Sequence, residues 1–152
     1  MSRFRHRVQS GRSSKPLTAA GLVPSTLFGL VFAGFRGQLD KQVPMQRRKA
    51  ALVRLKKYTG ETKGYEPFVE LARKRLTERM DVKDLIRPYR GEVEKDLEDS
   101  VKMIAGLEQL FADSGLKGWQ SSLGLLQKQL RDYDEWVRVT ILPITRSSST
   151  LP

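Results

Sequence analysis

Carboxylates are the side chains of this sequence best suited to chemistry, and they fall in two clusters: Glu92, Glu94, Asp96, Glu98 and Asp99, then Asp132, Asp134 and Glu135. Paired carboxylates serve as general acid and base, and a denser group holds a hard cation. The rest of the inventory is nearly empty. There is no cysteine, and the one histidine, His6, lies in an arginine-rich N-terminal tail. Soft metal ligands and neutral-pH bases come chiefly from Cys and His, so most routes to a metal site or an activated nucleophile are closed. A di-iron site in a helical bundle would need Glu-x-x-His on facing helices, and no His is placed for it. No glycine-rich phosphate loop, HExxH, CxxC or GxSxG occurs. The expectation for both acidic clusters is therefore a solvated helix face, with no catalytic residue, no metal ligand and no cofactor in this chain.

Cations offer a second chemistry. The formal net charge is +11 over 152 residues, and it is unevenly spread. Residues 1 to 16 contribute +5, residues 17 to 60 contribute +7, and residues 61 to 152 contribute −1. Within the middle block Arg47, Arg48, Lys49, Arg54, Lys56 and Lys57 form a candidate anion-binding set, with Tyr58 at its end. Lys and Arg spread over half a helix attract phosphates without reading sequence, and few aromatics are interleaved for base stacking. Nucleic acid or another polyanion is thus an alternative partner, not the favoured one; a solvated amphipathic surface explains the pattern as well.

The elements that must position these residues are helices. Pro24-Ser25 supplies an N-cap, and Phe28, Val31, Phe32, Phe35 and Leu39 follow at the spacing of one buried helix face. Gly29, Ala33 and Gly37 make a small-residue ridge, expected to admit a neighbouring backbone closely. A second helix is predicted from about Pro44 to Tyr58, buried through Ala51, Leu52, Leu55 and Tyr58 and stopped at Gly60. A third follows Pro67, with Phe68, Leu71, Ala72, Leu76 and Met80 inward and Arg73, Lys74, Arg75 and Arg79 outward, until Asp81 to Pro88 breaks it.

The strongest pattern comes last. Val93, Leu97, Ser100, Ile104, Leu107 and Phe111 are spaced 4-3-4-3-4, and Trp119, Leu123, Leu126, Leu130, Tyr133 and Val137 repeat that spacing. Asp113 to Gly118 is a short connection between them, so residues of about 90–142 should fold back as an antiparallel helical hairpin. Strand-like alternation is absent. The predicted fold is all-α: a disordered basic tail over residues 1–15, then one helical domain or fragment over residues 16–152.

Between Lys15 and Arg36 run twenty uncharged residues, the length of a signal sequence or membrane anchor, and an arginine- and serine-rich start that also suits a transit peptide. Pro24, Ser25-Thr26 and glycines at 21, 29, 34 and 37 oppose a span, so the soluble helix is preferred and a membrane partner is not expected. The lack of cysteine fits a reducing compartment, which favours the cytoplasm.

One connected series of residues carries a resemblance: Tyr58-Thr59-Gly60 with Gly64-Tyr65 and Pro67, Pro88-Tyr89-Arg90-Gly91-Glu92-Val93-Glu94, Gly118-Trp119, and Tyr133-Asp134-Glu135-Trp136-Val137-Arg138 leading to Ile141-Leu142-Pro143. This series resembles the N-terminal helical part of a family of uncharacterised bacterial and plant proteins, domain of unknown function eight-eighty-five, zincin-like zinc metallopeptidases of mostly helical fold. Upstream, Phe32 to Tyr58 with Gln42-Val43-Pro44 and Ala50 to Leu55 looks similar too, so the likeness covers about Pro24 to Pro152. The resemblance implies that zinc belongs to the complete family protein, on a His-Glu-x-x-x-Gly-His type helix with no counterpart among these residues. It further implies a chain truncated before that helix, whose partner is the missing C-terminal catalytic part. Such a fragment is expected to expose Phe28, Phe35 and Trp136 and so to self-associate.

Overall fold

Apolar residues at 3- and 4-residue spacing bury one stripe of each helix, and the computed structural model is built from such stripes. It describes residues 25–81 and 88–145, with side chains from residue 29 onward. The expected N-terminal tail, its segment up to Pro24, the side chain of Phe28, most of the predicted break before Pro88 and the Ser147–Pro152 end lie outside the described residues.

The described chain is all-α. Its elements are α1 (Ser25–Gln38), a single turn α2 (Met45–Arg48), α3 (Ala50–Thr59), α4 (Phe68–Met80), α5 (Arg90–Asp113) and α6 (Gln120–Trp136). The last helix continues as a π-helical turn at Val137–Ile141 and a 3-10 turn at Leu142–Ile144. No described helix is long and apolar enough to cross a membrane.

Helices α5 and α6 carry the main seam. All six spaced residues of α5, Val93 to Phe111, are buried, as are Leu123, Leu126, Leu130, Tyr133 and Val137, with Trp119 half-buried at the connection. Three contacts set the direction of the pair: Ser100 to Asp134, the Ile104 carbonyl to Gln127, and the Phe111 ring to Trp119 at 5.9 Å. As numbers rise along α5 they fall along α6, the arrangement of antiparallel neighbours. The connection turns through Gly115 and Gly118, both at positive φ, where a side chain would be strained. Ser114 holds it by donating to the Phe111 carbonyl and accepting from the Leu116 amide.

Helix α1 lies on α5 through Val31, Phe35 and Leu39, while α3 and α4 pack on α6 through Ala51, Leu55, Val69 and Leu76. Aromatic rings link the two groups. Phe68, Tyr58, Phe35, Phe111 and Trp119 touch in succession, with centroids 4.8, 5.6, 5.2 and 5.9 Å apart. Each such contact adds about 0.5–1.5 kcal/mol beyond simple burial, so this chain of rings ties five segments into one core.

Several expectations are corrected. The Gly29, Ala33 and Gly37 ridge faces solvent, and nothing lies within 4 Å of a methyl placed on Gly29 or Gly37. Close approaches occur instead at Gly34, beside Arg54, and at Gly106, beside Phe32. The long second helix is interrupted at Lys49, giving α2 and α3. In α4 Val69 is inward and Leu71 is about half exposed, because the helix turns the first rather than the second toward α6. Phe35, expected to be uncovered, is fully buried, and Trp136 is half-buried under the Arg73 guanidinium, 5.5 Å from its ring centre.

Candidate functional site

The six cations of the candidate anion-binding set differ in their surroundings. Arg48 is used internally: its Nε donates to the Val43 carbonyl at 2.7 Å, one terminal nitrogen to the Lys41 carbonyl at 2.7 Å and the other to the Ser114 carbonyl at 2.9 Å. A guanidinium has five donors in a rigid fork, and three of them here tie the loop before α2 to the α5–α6 connection. Arg48 is therefore a brace, not a free cation. Arg47 of α2, Lys49 at the break between α2 and α3, and Lys56 of α3 are exposed. Lys56 also lies near Glu61, whose carboxyl sits below its usual range chiefly because Thr59 donates a 2.7 Å hydrogen bond to it.

The two remaining cations, Arg54 and Lys57, are brought together. They stand one turn apart on α3, half-buried, at the rim of an open groove of about 520 Å³ between α1, α3 and α4. Tyr58 and Phe68 form its apolar floor, their rings 4.8 Å apart, and Val53, Leu71 and Tyr65 line it with much of their surface in water. Arg54 reaches across to α1, where one guanidinium nitrogen lies 2.9 Å from the place a Gly34 methyl would occupy. Lys57 sits over the Tyr65 ring at 5.2 Å. Neither cation is in an ion pair among the described residues. The one acid of the groove, Glu66, is held at 2.7 Å by Lys74. Gln38 also lines the groove, and its side-chain oxygen is buried without a hydrogen-bond partner among the described residues. This groove was not legible in the sequence, since its three walls come from helices whose mutual placement depends on the core.

The acidic clusters behave as charged helix faces with one exception. Glu94 pairs with Arg90, Asp99 with Lys95, Asp132 with Lys128 and Glu135 with Arg138, all at helical spacing on exposed surface. Such pairs each stabilise a helix by about 0.2–0.5 kcal/mol and mark no site. Asp134 departs from the expectation of a solvated face, because it is buried in the α5–α6 seam with 4% of its surface exposed. One of its oxygens accepts a hydrogen bond from Ser100, and the other has no hydrogen-bond partner among the described residues. Burial pushes its carboxyl up to about 6, against the opposing effects of Ser100 and the nearby Arg138. The neighbouring Tyr133 hydroxyl is raised as well, by burial first and by the Asp134 charge second. Among the described residues no three His, Cys, Asp or Glu are grouped to hold a metal ion. Set against models of known protein families, curated proteins and solved structures, the chain matches none.

Proposed function

We propose that this chain serves as the non-catalytic helical segment of a zincin-like metallopeptidase of the family it resembles, its helices packing against and walling a catalytic part that carries the zinc ligands. The supporting observation is where the resembling residues sit. They occupy positions that build the helical fold: Gly60 caps α3 at φ 85° against Pro67, Gly91 lies against the Tyr89 ring, Gly118 turns the connection at φ 81°, and Tyr133, Asp134 and Val137 are buried in the seam. A likeness carried by such positions is a likeness of scaffold.

A test lies in the coding sequence downstream of Pro152. Finding a His-Glu-x-x-x-Gly-His helix there, in any frame, is the expected result; its absence over the length of a catalytic domain overturns the proposal. The alternative, a basic module for nucleic acid or another polyanion, draws on the exposed Arg47, Lys49 and Lys56. It requires binding to double-stranded DNA that falls steeply with salt, whereas the scaffold needs none.

A further inference from the structure

The groove between α1, α3 and α4 combines three properties that ordinary surface lacks. Its floor and walls are apolar and ring-bearing, with Val53 54%, Tyr65 48% and Leu71 48% exposed although adjacent to one another around a single concavity. Two cations, Arg54 and Lys57, stand over that apolar surface without a carboxylate partner among the described residues, while Glu66 is neutralised from outside by Lys74. Gln38 also lines this space, and its side-chain oxygen is buried without a hydrogen-bond partner among the described residues. A volume of about 520 Å³ falls within the range that takes a small organic ligand.

We propose that this groove is a binding site for a small organic carboxylate with an apolar ring-bearing body. The carboxylate meets Arg54, whose planar fork suits it bidentately, and Lys57 from the adjacent turn. The ring system covers Val53 and Leu71 and stacks beside Tyr65. Two cations confined to one concavity favour a single negative group on a compact ligand; a polyanion needs a longer track of charge. The missing side chain at Gly34 is what lets the guanidinium lie across α1 in this position.

The test is titration of the full chain with 2-naphthoate, followed by NMR shifts of Val53, Leu71 and Tyr65, with 2-naphthalenemethanol and acetate as separate arms. Saturable binding at one per chain is expected, weaker by about tenfold or more for the uncharged alcohol and for acetate, which lacks the ring. The R54Q/K57Q variant, or K57Q alone if the double variant folds poorly by circular dichroism, should weaken naphthoate by about tenfold. R47Q/K49Q, which alters exposed cations outside the groove, should leave it unchanged. No saturable shift at millimolar naphthoate, equal affinity for the alcohol, or an equal loss in R47Q/K49Q would each overturn the proposal.

Discussion

Ser100 of α5 donates a 2.5 Å hydrogen bond to Asp134 of α6, and this contact is the one place where the otherwise apolar seam between the two longest helices holds a carboxyl. The other oxygen of Asp134 is buried without a hydrogen-bond partner among the described residues. An ionised carboxylate in that position has given up water for one hydrogen bond, which is why its proton is held up to about pH 6.

The pH dependence follows from the direction in which burial moves this carboxyl. The folded pKa, about 6, lies above the ordinary value of 3.8, so the native state binds the extra proton between those limits. Stability is therefore unpenalised by Asp134 below about pH 4 and falls as pH rises, the full cost being present above about pH 6. A rise of that size corresponds to on the order of 3 kcal/mol. Asp134→Asn should raise stability at pH 8 by about 1–2 kcal/mol and change it little at pH 4, as read by urea denaturation of both proteins at each pH. A variant destabilised at pH 8 would mean the charge is better compensated than the geometry indicates.

Ser100→Ala removes the one hydrogen bond that the buried carboxylate accepts among the described residues. The expected cost is about 1–3 kcal/mol at pH 8, smaller at pH 4, with the Asp134 carboxyl titrating at still higher pH in a carbon-13 NMR experiment. In the Asp134→Asn background the same change should cost less, giving a coupling energy in a double-mutant cycle.

Arg48→Lys tests the brace. An ammonium cannot reach carbonyls of Lys41, Val43 and Ser114 together, so a loss of about 1–2 kcal/mol is expected despite the retained charge. Hydrogen exchange at the α5–α6 connection should quicken in the variant, whereas Arg47→Lys should be neutral.

Gly60 and Gly64 share a left-handed backbone but differ in surroundings. A methyl on Gly60 would meet the Pro67 ring at 2.7 Å, and one on Gly64 meets nothing within 4 Å. Gly64→Ala should cost about 1 kcal/mol from the backbone alone, and Gly60→Ala about 2 kcal/mol or more, read as the difference in their thermal midpoints.

These relationships were unequally visible in the sequence. The 4-3 spacing from Val93 to Phe111 and from Trp119 to Val137 marks the seam, because leucine and aromatic side chains at that interval have only one face to bury. Ser100 is legible by the same spacing, but Asp134 is not: it sits beside exposed Asp132 and Glu135, and only the rotation of α6 decides which acid turns inward. Gly29, Ala33 and Gly37 mislead because small residues fit a contact and an exposed face equally well. Val69 and Leu71 are both apolar, so the inward one in α4 depends on where α6 lies. Arg48 finds its farthest partner, Ser114, sixty-six residues away, and the groove over Tyr58 is walled by three separate helices. Both belong to tertiary placement, on which local periodicity is silent.

The most direct measurement is the zinc content of the purified chain by elemental analysis, taken together with hydrolysis of unstructured peptide. A non-catalytic helical segment predicts zinc far below one atom per chain after dialysis and no hydrolysis above the buffer rate. One zinc retained per chain, or peptide cleavage that a chelator abolishes, would contradict it.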